Sequence, residues 1–280
     1  MVNLSVNSVS KSFQSRQGLV AALENVSLEV SHGEFVVLIG PSGCGKSTLL
    51  NIMAGLDEAT SGHVLENGVD VKTPSRNRAV VFQDGGLFPW FTAQQNVAFG
   101  LKQMGIGKRE RESLAAEYLD LVHLGRFRHS FVHELSGGMR QRVAIARALA
   151  VEPQILLMDE PFSALDAQTR EDLYAIMQEI SERKVRTVVF VTHNVREAAC
   201  LGDRVILLSG RPGRVVAEYP VRISRPRFVD DANVAIAANR LAAAMKEGVA
   251  NARKDEYDDD WHPKEIGLLH SSDGVMGDSI

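Results

Sequence analysis

A glycine-rich run between Gly40 and Thr48 is the part of this sequence whose chemistry is easiest to predict. It fits the pattern G-x-x-x-x-G-K-[ST]. In such a loop the backbone N–H groups surround phosphates, the lysine reaches the outer phosphates and the hydroxyl ligates Mg²⁺. We therefore predict a nucleotide phosphate site formed by Gly40, Pro41, Ser42, Gly43, Cys44, Gly45, Lys46, Ser47 and Thr48.

Cys44 lies inside this loop and has two interpretations. It is either a small residue that suits the tight loop or a reactive thiol, because the start of a helix favours the thiolate.

Two adjacent carboxylates follow an apolar run at residues 155–158. In a parallel sheet the carboxyl end of a strand faces the ligand crevice. We therefore predict Asp159 as a ligand of Mg²⁺, directly or through water, and Glu160 as the catalytic group that orients or deprotonates an attacking water. The alternative is that two acidic residues simply end a strand.

A second candidate anion site opens a helix at residues 135–142, with the sequence Leu-Ser-Gly-Gly-Met-Arg-Gln-Arg. Ser136 is a favourable N-cap, and Gly137 and Gly138 leave the backbone N–H groups uncovered. This segment is either a capped helix with a flexible start or a site for a γ-phosphate. Because one chain has a single phosphate loop, a head-to-tail pair would let each site meet the other chain's nucleotide.

Strand-length apolar runs alternate with helical segments along most of the chain. Strands are predicted at residues 34–39, 155–158, 187–191 and 204–208, with helices at 46–55, 167–183 and 195–200. This order predicts an α/β fold with a mostly parallel core sheet. Residues 2–9 and 26–30 predict an antiparallel N-terminal β-subdomain, and helical spacing at about residues 84–150 predicts an inserted helical subdomain.

The composition limits the partners and the compartment. The chain has 280 residues, a net charge of −4 and 2 cysteines. The sequence has no basic stripe that would favour binding to nucleic acid. Two cysteines are too few for a disulfide framework, which fits a reducing compartment such as the cytoplasm. We expect no membrane crossing, because a spanning helix needs roughly 20 apolar residues.

The ordered motifs resemble the ATPase subunit of ABC transporters across about residues 1–225. Leu135, Ser136, Gly137, Gly138 and Gln141 resemble that family's signature motif, which contacts the ATP of a second copy. The resemblance implies that Gln83 contacts Mg²⁺ and senses the membrane subunit, and that Asp166 lies at the dimer interface. It also implies that His193 is a catalytic residue that reaches the γ-phosphate and that the ring of Phe13 stacks on adenine.

The resemblance further implies ATP and Mg²⁺ as cofactors, a second copy of the chain, permease subunits and, indirectly, a solute-binding protein. The expected location is the cytoplasmic face of the inner membrane, held by the permease. A soluble ABC-type ATPase acting on the ribosome or DNA, a phosphotransferase and an exporter subunit are the alternatives.

Residues 81–91 and 95–101 resemble the importers of nitrate, sulfonates and taurine, in which Pro89-Trp90 is typical. Residues 224–227 also resemble the C-terminal stretch of that group, whereas residues 84–86 depart from its pattern. The large apolar residues at 87–91 either pack inside the helical insertion or form an exposed patch that receives a short helix from a membrane partner.

The C-terminal region is predicted to contain a helical extension at residues 226–252, with apolar residues at helical spacing. An acidic tail at residues 253–280 is expected to be solvated. The alternative for this tail is a regulatory or partner contact.

Overall fold

The computed structural model describes residues 2–16, 18–184 and 186–260. Its strands form two β-sheets. The smaller sheet is antiparallel and four-stranded. Its strands are β1 (Val2–Ser15), β2 (Gly18–Ser31), β4 (Ser61–Glu66) and β5 (Val69–Asp70), in the order β2-β1-β4-β5.

The larger sheet has six strands, of which only one edge strand is antiparallel to its neighbour. They are β3 (Phe35–Ile39), β6 (Arg78–Val81), β7 (Ile155–Asp159), β8 (Thr187–Val191), β9 (Arg204–Leu208) and β10 (Val215–Pro220), in the order β10-β9-β3-β8-β7-β6. The predicted α/β class, with its mostly parallel core sheet and antiparallel N-terminal subdomain, is confirmed.

The central strands β3, β7 and β8 bring the predicted chemistry to one edge of the sheet. Leu38 pairs in parallel with Val191, and Val191 pairs with Asp159. Nearly every residue of these strands is buried, which explains their continuous apolar sequences. The loop after β3 leads into α1 (Lys46–Ala54), so the phosphate loop lies beside the ends of β7 and β8.

Helices fill the segment between β6 and β7. It contains α2 (Ala93–Gln103), α3 (Lys108–Leu121) and α4 (Gly137–Ala150), with short 3-10 turns at Gly125–Phe127 and Val132–Glu134. Thr92 and Gln95 form a reciprocal capping box at the start of α2. Apolar residues of the three helices, including Val97, Leu119 and Val143, are fully buried in one core with the parallel sheet.

Three further helices follow β7. They are α5 (Ala167–Lys184), α6 (Val195–Leu201) and α7 (Ala232–Asp260). The start of α7 buries Val234, Ala238 and Leu241. In the described part of the chain, no helix combines the length and apolar character that a membrane span requires.

The C-terminal boundary differs from the prediction. We expected the helical extension to end at residue 252, but α7 continues to Asp260. Charged residues alone do not end a helix, and residues 249–260 include neither glycine nor proline. The rest of the predicted tail, residues 261–280, lies outside the described residues.

The turn between β9 and β10 joins the two sheets beside the phosphate loop. Gly213 N–H donates to Ala22 O, and Gly213 O accepts from Glu24 N–H, at 2.9 and 3.0 Å. A Cβ atom at Gly213 would lie only 2.1 Å from the carbonyl oxygen of Cys44. The absence of a side chain at Gly213 therefore permits this close approach.

The substitution Gly213→Ala tests this contact. Because the new methyl group would meet backbone atoms, we expect a loss of about 1–3 kcal/mol in the free energy of unfolding. We also expect weaker ATP binding, since Cys44 belongs to the phosphate loop. Urea unfolding and nucleotide titration measure both effects.

Gly107→Ala is the matched control, because a Cβ atom there would meet no atom within 4 Å. Equal stability and equal ATP affinity of the two variants would contradict the assigned role of Gly213.

Candidate active site

A cavity of about 470 Å³ lies at the carboxyl edge of the parallel strands. It collects residues from β1, the phosphate loop, the end of β6 and the ends of β7 and β8. The lining residues are Phe13, Ala22, Ser42, Gly43, Gly45, Lys46, Ser47, Thr48, Gln83, Glu160, His193 and Arg211. Most of the predicted nucleotide and catalytic residues therefore share one cavity.

The phosphate loop wraps the start of α1. Gly45 has a φ of 95°, and a Cβ atom there would lie 2.6 Å from Leu23 Cδ2. Lys46 is buried, and its Nζ donates to the carbonyl oxygens of Gly40 and Pro41, both at 2.9 Å. A positive charge and the first N–H groups of α1 thus face the same small volume, which suits phosphate oxygens.

Burial bears on the two interpretations of Cys44. The residue is buried, and its burial raises the pKa of the thiol, although the nearby Lys46 opposes this shift. Because a buried, protonated thiol is a weak nucleophile, these features favour the interpretation of Cys44 as a small residue that suits the tight loop.

Asp159 provides an oxygen that lacks a partner within the described residues. Its Oδ1 atom is buried and accepts no hydrogen bond there. Burial raises the pKa of this carboxyl, whereas a hydrogen bond from the Ser47 side chain lowers it. An oxygen-seeking divalent cation between these two groups would satisfy the unpaired atom and stabilise the carboxylate.

No group of three His, Cys, Asp or Glu residues suited to a metal occurs among the described residues. A cation at Ser47 and Asp159 would therefore complete its shell with oxygens from a bound phosphate and from water.

Glu160 and His193 form a side-chain pair at the mouth of the cavity. The Nδ1 atom of His193 lies 3.1 Å from Oε2 of Glu160. Glu160 has a φ of 43°, in the left-handed region that non-glycine residues seldom adopt. Its backbone N–H donates to Val191 O at 3.0 Å, and its carbonyl accepts from the Ser163 hydroxyl. These bonds hold the strained turn that directs the carboxylate into the cavity.

The signature residues lie apart from this cavity. The hydroxyl of Ser136 accepts from the backbone N–H of Met139 and caps α4. A Cβ atom on Gly138 would lie 3.2 Å from Ala164 O, so the start of α4 packs against the segment that leads to Asp166. Leu135 beneath them is buried.

Asp166 caps the start of α5. Its Oδ1 accepts from the backbone N–H of Thr169 at 3.0 Å, and this bond lowers the pKa of the carboxyl. The signature motif and Asp166 therefore form a second polar region, which the chain's own nucleotide cavity does not include.

The structure corrects the prediction for Gln141. This residue is buried, and its amide donates to Phe82 O at 3.1 Å. Its side chain therefore supports the segment before Gln83 instead of facing outward toward a second nucleotide.

Arg211 was not predicted, yet it lines the nucleotide cavity. The sequence Gly-Arg-Pro-Gly indicates a turn with an exposed cation, which is the only local signal. Its place depends on the long-range contact between Gly213 and the phosphate loop, which no local pattern shows.

A protein-family model described as "ABC transporter" matches residues 23–163. The chain belongs to the ABC transporter family. The match covers the phosphate loop, the signature motif and the carboxylate pair of this ABC ATPase.

Several curated relatives of this ABC ATPase have importer names. A taurine import ATP-binding protein of Burkholderia pseudomallei is 47% identical over 225 residues, which are 80% of this chain and 86% of the relative. A nitrate import ATP-binding protein of a Synechocystis species is 46% identical over 222 residues, or 79% and 84% of the two chains.

A solved structure supports the assignment of the reaction. A dimeric ATP-binding cassette in a post-hydrolysis state, bound to ADP and phosphate, superposes with a TM-score of 0.74. It is 36% identical and covers 79% of this chain and 100% of its own. The ABC ATPase described here hydrolyses ATP to ADP and phosphate.

The substitution Glu160→Gln separates ATP binding from hydrolysis. The amide preserves the shape of the side chain but cannot accept a proton from water. We expect ATP affinity to stay unchanged and turnover to fall by at least about 100-fold. Nucleotide titration and phosphate release measure the two quantities.

Glu110→Gln, an exposed change on α3, is the control and should retain full turnover. Retained turnover in Glu160→Gln would exclude Glu160 as the base.

Proposed function

We propose that this ABC ATPase energises an importer of a small oxyanion such as nitrate, a sulfonate or taurine. The similarity to the ATP-binding proteins of taurine and nitrate import carries this proposal. The sequence Pro89-Trp90, which is typical of that group, agrees with it. The ATPase subunit drives transport of the solute without binding it.

An aromatic cluster after Gln83 supports a membrane partner. The ring of Phe88 lies 5.7 Å from Trp90, 5.5 Å from Phe91 and 4.7 Å from Phe99. Three of these rings are half-buried, whereas Trp90 is 66% exposed. The segment therefore has both a packed part and an exposed apolar surface, because half-buried rings support an exposed one.

The loop that carries Trp90 is held from beneath. Buried Asn96 accepts from Phe88 N–H at 2.9 Å and donates to Thr92 O at 3.0 Å. The loop is thus a fixed platform with an apolar surface, a form suited to a short permease helix. Its proximity to Gln83 would connect the permease to the nucleotide cavity.

Two copies of the chain would enclose two MgATP molecules. In each site, one copy would supply the phosphate loop, Phe13 against the adenine, Gln83, Glu160 and His193. The other copy would supply the helix start at Ser136, Gly137 and Gly138, with Asp166 nearby at the interface.

Mg²⁺ in this proposal is held by Ser47, Asp159 and Gln83 together with phosphate oxygens. The unpaired Oδ1 of Asp159 supports this assignment. The ion would neutralise phosphate charge as the leaving group departs.

ATP would bind the closed pair more tightly than the open pair, and this difference would shift the population toward closure. Closure would move the permease, and hydrolysis by way of Glu160 would reset it. The chain would work at the cytoplasmic face of the inner membrane as a peripheral subunit, with a solute-binding protein delivering the oxyanion to the permease.

The substitution Trp90→Ala tests the docking surface. Since the side chain is largely exposed, we expect the melting temperature and the basal ATPase rate of the isolated subunit to stay close to wild type. Solute uptake by the complete transporter should fall, because the apolar contact is lost. Vesicle uptake assays and thermal unfolding measure these effects.

Val69→Ala is the control, because Val69 is 70% exposed on β5, outside the aromatic cluster. A large loss of melting temperature in Trp90→Ala, or unchanged uptake, would contradict the docking assignment.

A mild-detergent pull-down of the tagged chain from native membranes tests the proposed function as a whole. We expect mass spectrometry to identify a multi-spanning permease and a solute-binding protein. Copurification with ribosomal or DNA-repair proteins, and with no membrane protein, would contradict the importer. A permease without any solute-binding protein would favour an exporter.

A further inference from the structure

A buried carboxylate lies directly behind the candidate catalytic pair. Glu197, on α6, is only 6% exposed. Burying a charge is costly unless hydrogen bonds compensate for it. The groups that donate hydrogen bonds to the carboxylate of Glu197 indicate what this residue does.

One carboxylate oxygen holds the segment on both sides of His193. Thr192 donates its hydroxyl to Oε2 of Glu197 at 2.5 Å. The same hydroxyl oxygen accepts from the backbone N–H of Asn194 at 3.0 Å. The residues before and after His193 are thus connected to one anchor.

The other oxygen connects this anchor to α5. Oε1 of Glu197 accepts from the Tyr174 hydroxyl at 3.1 Å and from Nδ2 of Asn194 at 3.4 Å. Burial, together with the charge of Glu197, raises the pKa of Tyr174, so the phenol remains a donor at neutral pH. Arg170 Nε lies 3.9 Å from the same oxygen and adds a positive charge.

The ring of His193 has little other support. Its side chain is 62% exposed and contacts Glu160 at 3.1 Å. A cavity of about 130 Å³ separates this pair from Glu197 and Arg170. Because the ring is largely exposed, the position of its backbone sets where the side chain begins and whether the ring can reach Glu160.

We propose that Glu197 is a positioning residue that holds the backbone around His193 so that its ring stays against Glu160. This inference rests on the proposed catalytic role of His193 and goes beyond it by naming the group that maintains the geometry. Among the described residues, hydrogen bonds connect Glu197 to the segment around His193 through Thr192 and Asn194. Removal of Glu197 should therefore change turnover and leave ATP binding intact.

The first test is a double-mutant cycle of Glu197→Gln and His193→Ala in the full chain. Glutamine keeps the size of the side chain, but its amide nitrogen cannot accept hydrogen bonds. We expect Glu197→Gln alone to lower kcat by about 10- to 100-fold, since small misplacements of a catalytic group have effects of this size. The KM for ATP should not change.

In the His193→Ala background, Glu197→Gln should cause no further loss. This non-additivity is the signature of a residue that acts through His193. Glu171→Gln, an exposed carboxylate on α5, is the control and should match wild type.

Thr192 provides a second test that keeps the buried carboxylate in place. Thr192→Val removes the hydroxyl, whereas Thr192→Ser keeps it. We expect kcat to fall in the valine variant and to be restored in the serine variant, with circular dichroism confirming that both are folded.

Three outcomes would overturn the proposal. The first is an unchanged kcat in Glu197→Gln. The second is that Glu197→Gln lowers kcat by the same factor with and without His193. The third is an equal kcat for Thr192→Val and Thr192→Ser. Wild-type turnover in His193→Ala alone would instead show that the catalytic role of His193 is wrong, and the inference would fail with it.

Discussion

The parallel pairing of β3, β8 and β7 is the constraint on which the rest of the structure depends. It places the phosphate loop, Asp159 and the segment before His193 at the ends of adjacent strands. The strands are buried, so their register is fixed by the core and not by the ligand. A charged site at this edge is therefore built on a rigid apolar base, and burial at that base makes Asp159 dependent on a cation or a hydrogen bond.

The nucleotide cavity and the signature motif lie in different parts of the chain. This separation is the structural reason to propose that two chains are needed for each ATP. The chain brings the phosphate loop, Gln83 and the Glu160–His193 pair together in one cavity. The capped start of α4 faces elsewhere, beside the segment that ends at Asp166. A single chain thus carries two separate polar regions, and a similar cassette bound to ADP and phosphate is dimeric.

Short-range signals were sufficient to place the glycine-rich loop and Asp159 at the ends of strands, because each directly follows an apolar run of strand length. Gln141 and Arg211 could not be predicted in the same way. The buried amide of Gln141 donates to Phe82 O, which is distant in sequence. Arg211 lines the cavity two residues before Gly213, whose backbone lies close to Cys44. The role of Glu197 also could not be predicted from local sequence, since its hydrogen-bond partner Tyr174 lies on another helix. The predicted C-terminal end of α7 was too early, because the acidic residues were interpreted as the start of a solvated tail. Acidic residues are compatible with a helix.

Complementation between two inactive variants tests most directly the claim that each ATP is enclosed by two chains. Lys46→Ala removes the ammonium group of the phosphate loop. Gly137→Asp places a carboxylate where the second chain would meet the γ-phosphate, at a position where a Cβ atom has room. A mixed pair retains one complete site, formed by the phosphate loop of the second variant and the signature motif of the first.

The account predicts that mixing the two proteins with MgATP restores hydrolysis well above the sum of their separate rates. A mixture no more active than its components would contradict it.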